Sequence, residues 1–244
     1  MSARVTAAVA ARVLAQLRRD PRTLALIVGV PCLLETLLEQ LFAGRSPVFQ
    51  HVGAPLLGLF PFVTMFLVTS ITMLRERISG TLERLMTLPL GKLDLLVGYG
   101  IAFGAVAVVQ AAVVSALSFG PLGLTVAGPR PLVVALAVAN AVLGTALGLF
   151  VSAFAQTEFQ AVQFMPAIVF PQILLCGLFV ERGAMAGWLR GLSDALPLTY
   201  AYDALAHTAT DTLGPRFTAD VAVVCGCILL ALALGAATLR RRTP

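Results

Sequence analysis

The sequence contains few charged residues. Only 12% of its 244 residues are Asp, Glu, Lys or Arg, whereas 59% are apolar. An ordinary soluble domain has about 25% charged residues, and its surface depends on them. A disordered chain needs low hydrophobicity together with high charge, so this composition excludes disorder as well. We therefore predict an integral membrane protein.

Lysine, histidine and cysteine are also scarce. Lys92 is the single lysine among 17 basic residues, and His51 and His207 are isolated from each other and from other ligand types. The four cysteines all lie in apolar runs, where a thiol behaves as a small hydrophobic group. They are Cys32, Cys176, Cys225 and Cys227. The sequence predicts no metal site, no disulfide framework and no catalytic triad.

Long apolar runs are what the sequence has in abundance. A helix that rises 1.5 Å per residue needs about 20 residues to cross about 30 Å of hydrocarbon. Strands of a membrane barrel would alternate polar and apolar residues, and these runs do not. The sequence therefore predicts an all-α integral membrane protein with six transmembrane helices, at residues 24–43, 54–74, 95–119, 131–157, 159–180 and 221–239.

The distribution of basic residues predicts the orientation of these helices. Twelve of the 17 lie before the first run, between the second and third runs, or after the last run. The other five lie in the loops of the opposite side. Because basic residues accumulate on cytoplasmic loops, we expect both termini in the cytoplasm.

The N-terminal segment 4–19 has a helical pattern of apolar residues. These residues recur at every fourth position, at Val5, Val9, Val13 and Leu17. The pattern predicts an amphipathic helix in the headgroup plane, and the alternative is a solvated basic anchor. The arginines and the following apolar run also resemble a signal peptide. We expect no cleavage, because the basic region is long and no small-x-small site follows closely.

The loop at residues 75–94 is the most informative stretch. Ser79 or Thr81 can cap a short helix, and Pro89 would end it. Apolar residues of this helix share one face, at Leu82, Leu85 and Met86. Such a helix could dock into a groove on a soluble partner, or it could be an elbow on the membrane surface. The pattern itself leaves these two interpretations open.

The same loop resembles a known family. Residues 75–90 read Arg-Glu-Arg-Ile-Ser-Gly-Thr-Leu-Glu-Arg-Leu-Met-Thr-Leu-Pro-Leu, which is similar to the cytoplasmic loop of ABC-2 type permeases. These proteins are the membrane subunits of ATP-binding-cassette exporters. The stretch 197–205, Pro-Leu-Thr-Tyr-Ala-Tyr-Asp-Ala-Leu, is similar to a second, looser family pattern. With the six-span layout and the amphipathic N-terminus, the resemblance covers essentially the whole chain.

The resemblance implies roles for two segments. Residues 79–88 would form the coupling helix, which sits in a cleft of an ATPase subunit, and residues 4–19 would form the in-plane connecting helix. It also implies which residues contact the ATPase or position that contact. They are Glu76, Arg77, Gly80, Thr81, Leu82, Glu83, Arg84, Leu85 and Pro89.

The resemblance further implies that ATP hydrolysis takes place on another polypeptide. The sequence has no G-x-x-x-x-G-K-[ST] motif, which cradles nucleotide phosphates; its one Gly-Lys pair, Gly91-Lys92, is followed by Leu93. We expect no enzymatic activity and no cofactor on this chain, with ATP and Mg²⁺ on the partner. The expected partners are two ATPase subunits, a second permease subunit (most simply an identical one) and lipid of the bacterial inner (plasma) membrane. Nucleic acid is not expected.

Polar residues within the spans are candidates for a substrate path. Glu35 and Glu39 share a face of the first span, and Glu35 would lie about 18 Å deep. They either form an exit-side site for cationic substrates or are protonated or paired within the protein. Further candidates could line a path or merely join helices by hydrogen bonds. They are Gln110, Asn140, Gln163 and Gln172.

Two further patterns concern packing and the last loop. Gly100-x-x-x-Gly104 and Gly144-x-x-x-Gly148 are typical of close contact between membrane helices. In residues 181–220, apolar residues recur at helical spacing, at Met185, Trp188, Leu189 and Leu192. We predict that this loop forms short helices that dip into the outer leaflet.

The sequence therefore predicts the permease subunit of an ATP-driven exporter of hydrophobic or amphiphilic compounds, working by alternating access. Six helices enclose little space, which favours a dimer. An alternative cargo is a lipid-linked glycan or polysaccharide. An alternative of a different class is a transporter or scaffold that works without an ATPase. A secondary transporter often has inverted repeats, and the sequence shows no convincing internal repeat.

Overall fold

The computed structural model describes residues 3–42, 46–81 and 91–238. Within these ranges the chain forms ten α-helices, one π-helical segment (Met165–Val169) and one 3₁₀ turn (Arg182–Ala184). The α-helices are α1 (Ala3–Arg18), α2 (Pro21–Leu41), α3 (Ser46–Ile78), α4 (Lys92–Phe119), α5 (Arg130–Val151), α6 (Glu158–Phe164), α7 (Phe170–Leu175), α8 (Gly187–Asp194), α9 (Pro197–Ala209) and α10 (Pro215–Thr238).

Six of these stretches are long and apolar enough to cross a membrane. They are Pro21–Leu41, Val48–Ile78, Asp94–Phe119, Arg130–Val151, Glu158–Leu175 and Pro215–Thr238. The prediction of an all-helical protein with six spans is thus confirmed for the described residues. The second span, α3, is longer than its predicted range 54–74 because it begins at Ser46 and because Arg75, Glu76 and Arg77 continue the helix beyond the apolar run. The inward orientation of the termini stays a prediction.

Helices α3 and α5 form the centre of the bundle. About three-fifths of the most apolar stretch of each is buried, compared with less than a quarter for α2 and α10. Gly144 and Gly148 permit this contact. A Cβ atom at Gly144 would overlap the backbone carbonyl of Phe62, and one at Gly148 would overlap Thr69 and the carbonyl of Phe66. The two helices therefore meet backbone to backbone.

The fifth span is interrupted in its middle. Residues Met165–Val169 form a π-helical turn that contains Pro166, and α7 then has Pro171 within its first turn. Proline lacks a backbone N–H and its ring clashes with the preceding turn, so regular α-helical bonding cannot continue there. The helix ends at Leu175, before the predicted residue 180, because Gly177 adopts a φ of +108°, which favours glycine.

The amphipathic N-terminal helix packs against protein. In α1 the residues Val9, Val13 and Leu17 are buried, and they share a cluster with Leu96 and Tyr99 of α4. The chain then turns into α2, where the carboxylate of Asp20 caps the helix by accepting a hydrogen bond from the backbone N–H of Thr23 at 3.1 Å. The hydroxyl of Thr23 donates to the other carboxylate oxygen, and this bond, together with the one from the backbone, lowers the pKa of Asp20.

The contact between α3 and α5 predicts a strong effect of one methyl group. We expect Gly144→Ala to force the helices apart at a cost of about 2 kcal/mol, which lowers the thermal midpoint by roughly 4–8 °C. The matched control is Gly226→Ala in α10, where a Cβ would have no atom within 4 Å. Thermal unfolding of the purified protein in detergent measures both. Equal midpoints for the two variants would contradict the close packing.

Candidate functional site

An ion pair joins the N-terminal helix to the end of α3. Nη2 of Arg12 donates hydrogen bonds to both carboxylate oxygens of Glu76, at 2.7 and 2.9 Å. Nε2 of Gln16 donates a longer one at 3.3 Å. The Glu76 side chain is only 9% exposed, and the fully buried ring of Tyr99 from α4 lies beside the pair. Three helices therefore meet around one carboxylate.

The electrostatics favour the charged form of Arg12. Burial by itself lowers the pKa of the guanidinium, but the hydrogen bond to Glu76 and the nearby negative charge outweigh it, so the pKa of Arg12 is raised. A bonded pair of this kind is short and directional, which fixes how α1 lies on α3. It can therefore transmit a displacement of one helix to the other.

Glu76 is the first of the predicted coupling residues, and the others follow it in the sequence. Gly80 has a φ of +70° just beyond the end of α3, the conformation in which glycine terminates helices. Thr81 follows, with its hydroxyl 2.9 Å from that of Ser79. Arg77 has two buried nitrogens, Nε and Nη2, without a hydrogen-bond partner in the described part of the chain. The other predicted coupling residues lie outside the described residues: Leu82, Glu83, Arg84, Leu85 and Pro89.

A second ion pair lies at the same end of α3. Arg75 donates from Nε and Nη2 to the two carboxylate oxygens of Glu158, at 2.8 and 3.0 Å. Both side chains are at least half exposed, so this pair contributes less than about 1 kcal/mol to stability. The pair fixes the position of these helices, because it holds the start of α6 against the end of α3.

An apolar groove of about 670 Å³ runs along α3. Its lining on α3 extends from Leu56 to Arg75, about 28 Å along the helix axis, which is nearly the thickness of the hydrocarbon core. The second wall is α2, from Thr23 to Leu34. The third comes from the interrupted fifth span and the segment after it. These residues are Met165, Phe170, Ile173, Leu178 and Phe179.

None of the described residues that line this groove is one of the six polar residues predicted from the spans. Glu35 is fully buried elsewhere in the bundle, and neither of its carboxylate oxygens has a hydrogen-bond partner in the described part of the chain. Glu39, one turn later, is half-buried and accepts a hydrogen bond from Nε2 of Gln40 at 2.6 Å. The role of both carboxylates stays a prediction.

The four uncharged candidates are in different environments. Gln110 joins three helices, because its Nε2 donates to the carbonyl of Ile27 and to Oγ1 of Thr64, both at 2.6 Å. Asn140 is buried in α5 opposite Gly58 of α3. Gln172 is buried and donates to the carbonyl of Ile168 in its own span, at 3.1 Å. Gln163 is exposed. The structure thus does not bring these four together.

A polar cluster at the other end of the bundle was not predicted from the sequence. Arg182 donates from Nη1 to Oδ2 of Asp203 at 2.6 Å, and from Nη2 to Asp194. Burial by itself lowers the pKa of Arg182. The hydrogen bonds and the negative charge of these carboxylates outweigh burial, so the pKa of Arg182 is raised. The three residues are spread over a loop, α8 and α9, and only the fold brings them together. The Arg12–Glu76 pair was likewise not predicted, although Glu76 was singled out as a coupling residue.

The chain is similar to known membrane proteins over most of its length. The sequence model of the ABC-2 type transporter family matches residues 4–209. ABC transporter G family member 20 of Dictyostelium discoideum is 23% identical over 173 residues, which are 70% of this chain and 24% of that protein. The probable multidrug ABC transporter permease YbhR of Escherichia coli (strain K12) is 28% identical over 148 residues, 61% of this chain and 40% of that protein. The match covers less than half of either relative.

The Arg12–Glu76 pair predicts a non-additive pair of variants. Arg12→Gln should lower the unfolding free energy by about 2 kcal/mol, because it leaves the buried charge of Glu76 without its partner, and Glu76→Gln should lower it by about 1 kcal/mol, because Arg12 is half-buried. The double variant should lose no more than either single variant. The thermal midpoints of the wild type, the two single variants and the double variant in detergent measure this coupling. Arg18→Gln, on the exposed side of α1, is the control. Additive losses would show that the two residues act independently.

Proposed function

This chain belongs to the ABC-2 type transporter family, and we propose that it is the permease subunit of an ATP-driven exporter of amphiphilic compounds. In this proposal two permease subunits form the pathway, and two separate ATPase subunits bind and hydrolyse ATP. The relative YbhR is named a probable multidrug permease, which supports a cargo of drug-like compounds. The proposed location is the bacterial inner membrane, with both termini in the cytoplasm.

The observation that carries this proposal is the apolar groove along α3. Its volume of about 670 Å³ suits a molecule of drug size. Its lining is apolar over most of its length and becomes polar at one end, at Thr23, Thr72 and Arg75. An amphiphile could place its apolar part in the groove and its polar part at this end. A strongly hydrophilic cargo would lose its hydration there without replacement hydrogen bonds.

The same helix supports the coupling to ATP hydrolysis. Helix α3 is a continuous helix of 33 residues, so it is about 50 Å long. One of its faces lines the groove, and its end carries Glu76, which is fixed to α1 by Arg12. The proposed coupling helix, residues 79–88, follows directly. A push on that segment by an ATPase subunit would tilt α3 and α1 together and change the width of the groove.

Closing the groove should stop transport. We expect Val63→Trp to reduce ATP-dependent uptake of a fluorescent amphiphilic cation at least tenfold in inverted vesicles that contain the permease and its ATPase, because the indole fills part of the groove. The matched control is Val109→Trp on α4, a residue that is 57% exposed and outside the groove. Uptake by the control should stay within twofold of the wild type. Full uptake by Val63→Trp would contradict the assignment of the groove as the cargo path.

The coupling segment can be tested separately from the groove. We expect Glu83→Arg to reduce cargo-stimulated ATP hydrolysis of the complex at least tenfold, because a reversed charge in a docked helix leaves its partner charge unpaired. Membrane insertion, measured by cell fractionation, should be unchanged. The substitution leaves every described residue of the groove unchanged, so cargo binding without ATP should also persist. Unchanged transport would refute the placement of the coupling helix at residues 79–88.

A further inference from the structure

A polar cavity of about 570 Å³ lies at the end of the bundle opposite the Arg12–Glu76 pair. His51, near the start of α3, lines this cavity, and Glu76 is 25 residues further along the same helix, about 37 Å away. The rest of the lining comes from the segment around Arg182 and from α8, α9 and α10. The cavity shares no described lining residue with the groove, and it is far from the coupling segment.

The inner part of this cavity has an excess of negative charge. Asp220 is 9% exposed, and its ion-pair partner is His207, with 3.8 Å between Oδ2 and Nε2. Asp203 accepts a hydrogen bond from Arg182, but that guanidinium is shared with Asp194. Burial raises the pKa of Asp203, and Arg182 offsets this only in part. In this inner part, Arg182 is the permanent cation, and it pairs with two carboxylates, those of Asp194 and Asp203.

The outer part of the cavity carries the opposite charge. Arg190 of α8 and Arg216 of α10 both line it, both are exposed, and neither forms an ion pair within the described part of the chain. Arg216 lies in the first turn of α10, where the helix dipole also favours an anion. Glu181 is the one exposed carboxylate of the lining. An anion would therefore bind at the rim and a cation further in.

Exposed apolar side chains lie on α8, on the face away from Arg190. Trp188 is 74% exposed and Leu192 is 47% exposed, and they are one turn apart on the helix that carries Arg190. Exposed tryptophan and leucine next to arginine are typical of a helix at the interface between headgroups and hydrocarbon. These features favour a position of α8, which supplies Arg190 to the cavity, at the level of the lipid headgroups.

We propose that this cavity binds the headgroup of a zwitterionic phospholipid of the phosphoethanolamine type. The ammonium group lies inside, towards Asp203 and Asp220, and the phosphate lies at the rim, between Arg190 and Arg216. This order matches the lipid, in which the ammonium is terminal and the phosphate joins the head to the tails. The tails then leave along the exposed face of α8. Tyr202, which also lines the cavity, adds an aromatic surface for the cation.

The charge arrangement distinguishes this headgroup from others. An anionic phosphoglycerol head satisfies the arginines but brings no cation to the carboxylates. A phosphocholine head has a cation but no N–H to donate to the carboxylates. The proposal concerns binding by the chain itself, so it stands or falls independently of the export of any cargo through the groove.

Lipid binding to the purified protein in detergent tests this proposal. Native mass spectrometry with palmitoyl-oleoyl phosphatidylethanolamine, phosphatidylglycerol and phosphatidylcholine should give an affinity at least tenfold higher for the first lipid. Soluble glycerophosphoethanolamine should displace it at an affinity at least tenfold lower than that of the lipid. Equal affinities for the three lipids would overturn the proposal, and equal affinities for lipid and soluble head would overturn its assignment to a lipid.

Two variants separate the two halves of the headgroup. Asp220→Asn should lower the affinity for phosphatidylethanolamine about tenfold and leave that for phosphatidylglycerol unchanged, which also shows that the variant is folded. Arg216→Gln should lower both affinities about tenfold. The control is Arg130→Gln, which removes an exposed arginine that lies over the ring of Phe119 outside the cavity. If Asp220→Asn leaves the preference for phosphatidylethanolamine intact, the ammonium is not bound where we place it.

Discussion

The rest of the bundle depends on the contact between α3 and α5, which Gly144 and Gly148 permit. In a bilayer, lipid tails are as apolar as leucine, so helices associate through van der Waals contact and hydrogen bonds. A backbone-to-backbone approach maximises the first of these. The contact with α5 also fixes one face of α3, so that the opposite face of α3 can remain open along the groove. One helix thereby has both a rigid support and a free surface.

Charge is kept at the two ends of this framework. Arg12 and Glu76 meet at one end, and Arg182 and Asp203 meet at the other. Between them, polar groups mostly bond to neighbouring backbone or side chains, as Gln110 does across three helices. Glu35 is an exception, since both of its oxygens lack a hydrogen-bond partner in the described part of the chain. An ionised carboxylate there would be costly, so its charge state bears on any role in transport.

Hydropathy predicted the six spans because the bilayer demands about 20 apolar residues whatever the packing. It did not predict which glycine pair makes contact. Gly144 lies against the backbone of α3, whereas a Cβ at Gly104 would have no atom within 4 Å, and the two motifs read alike. The Arg12–Glu76 pair spans 64 residues, and no spacing rule connects residues so far apart. The sequence predicts the local chemistry of a residue, but the packing of whole helices decides which residue it contacts.

The π-helical turn determines which side chains of the fifth span reach the groove. Met165 and Phe170 both line it, although they are five residues apart. On a regular α-helix, positions five apart point about 140° away from each other. The wider turn between them, with its hydrogen bonds from residue i to i+5, brings the two side chains towards the same direction. A single local widening of the backbone thus gives this wall two contributions from a stretch that would otherwise present only one.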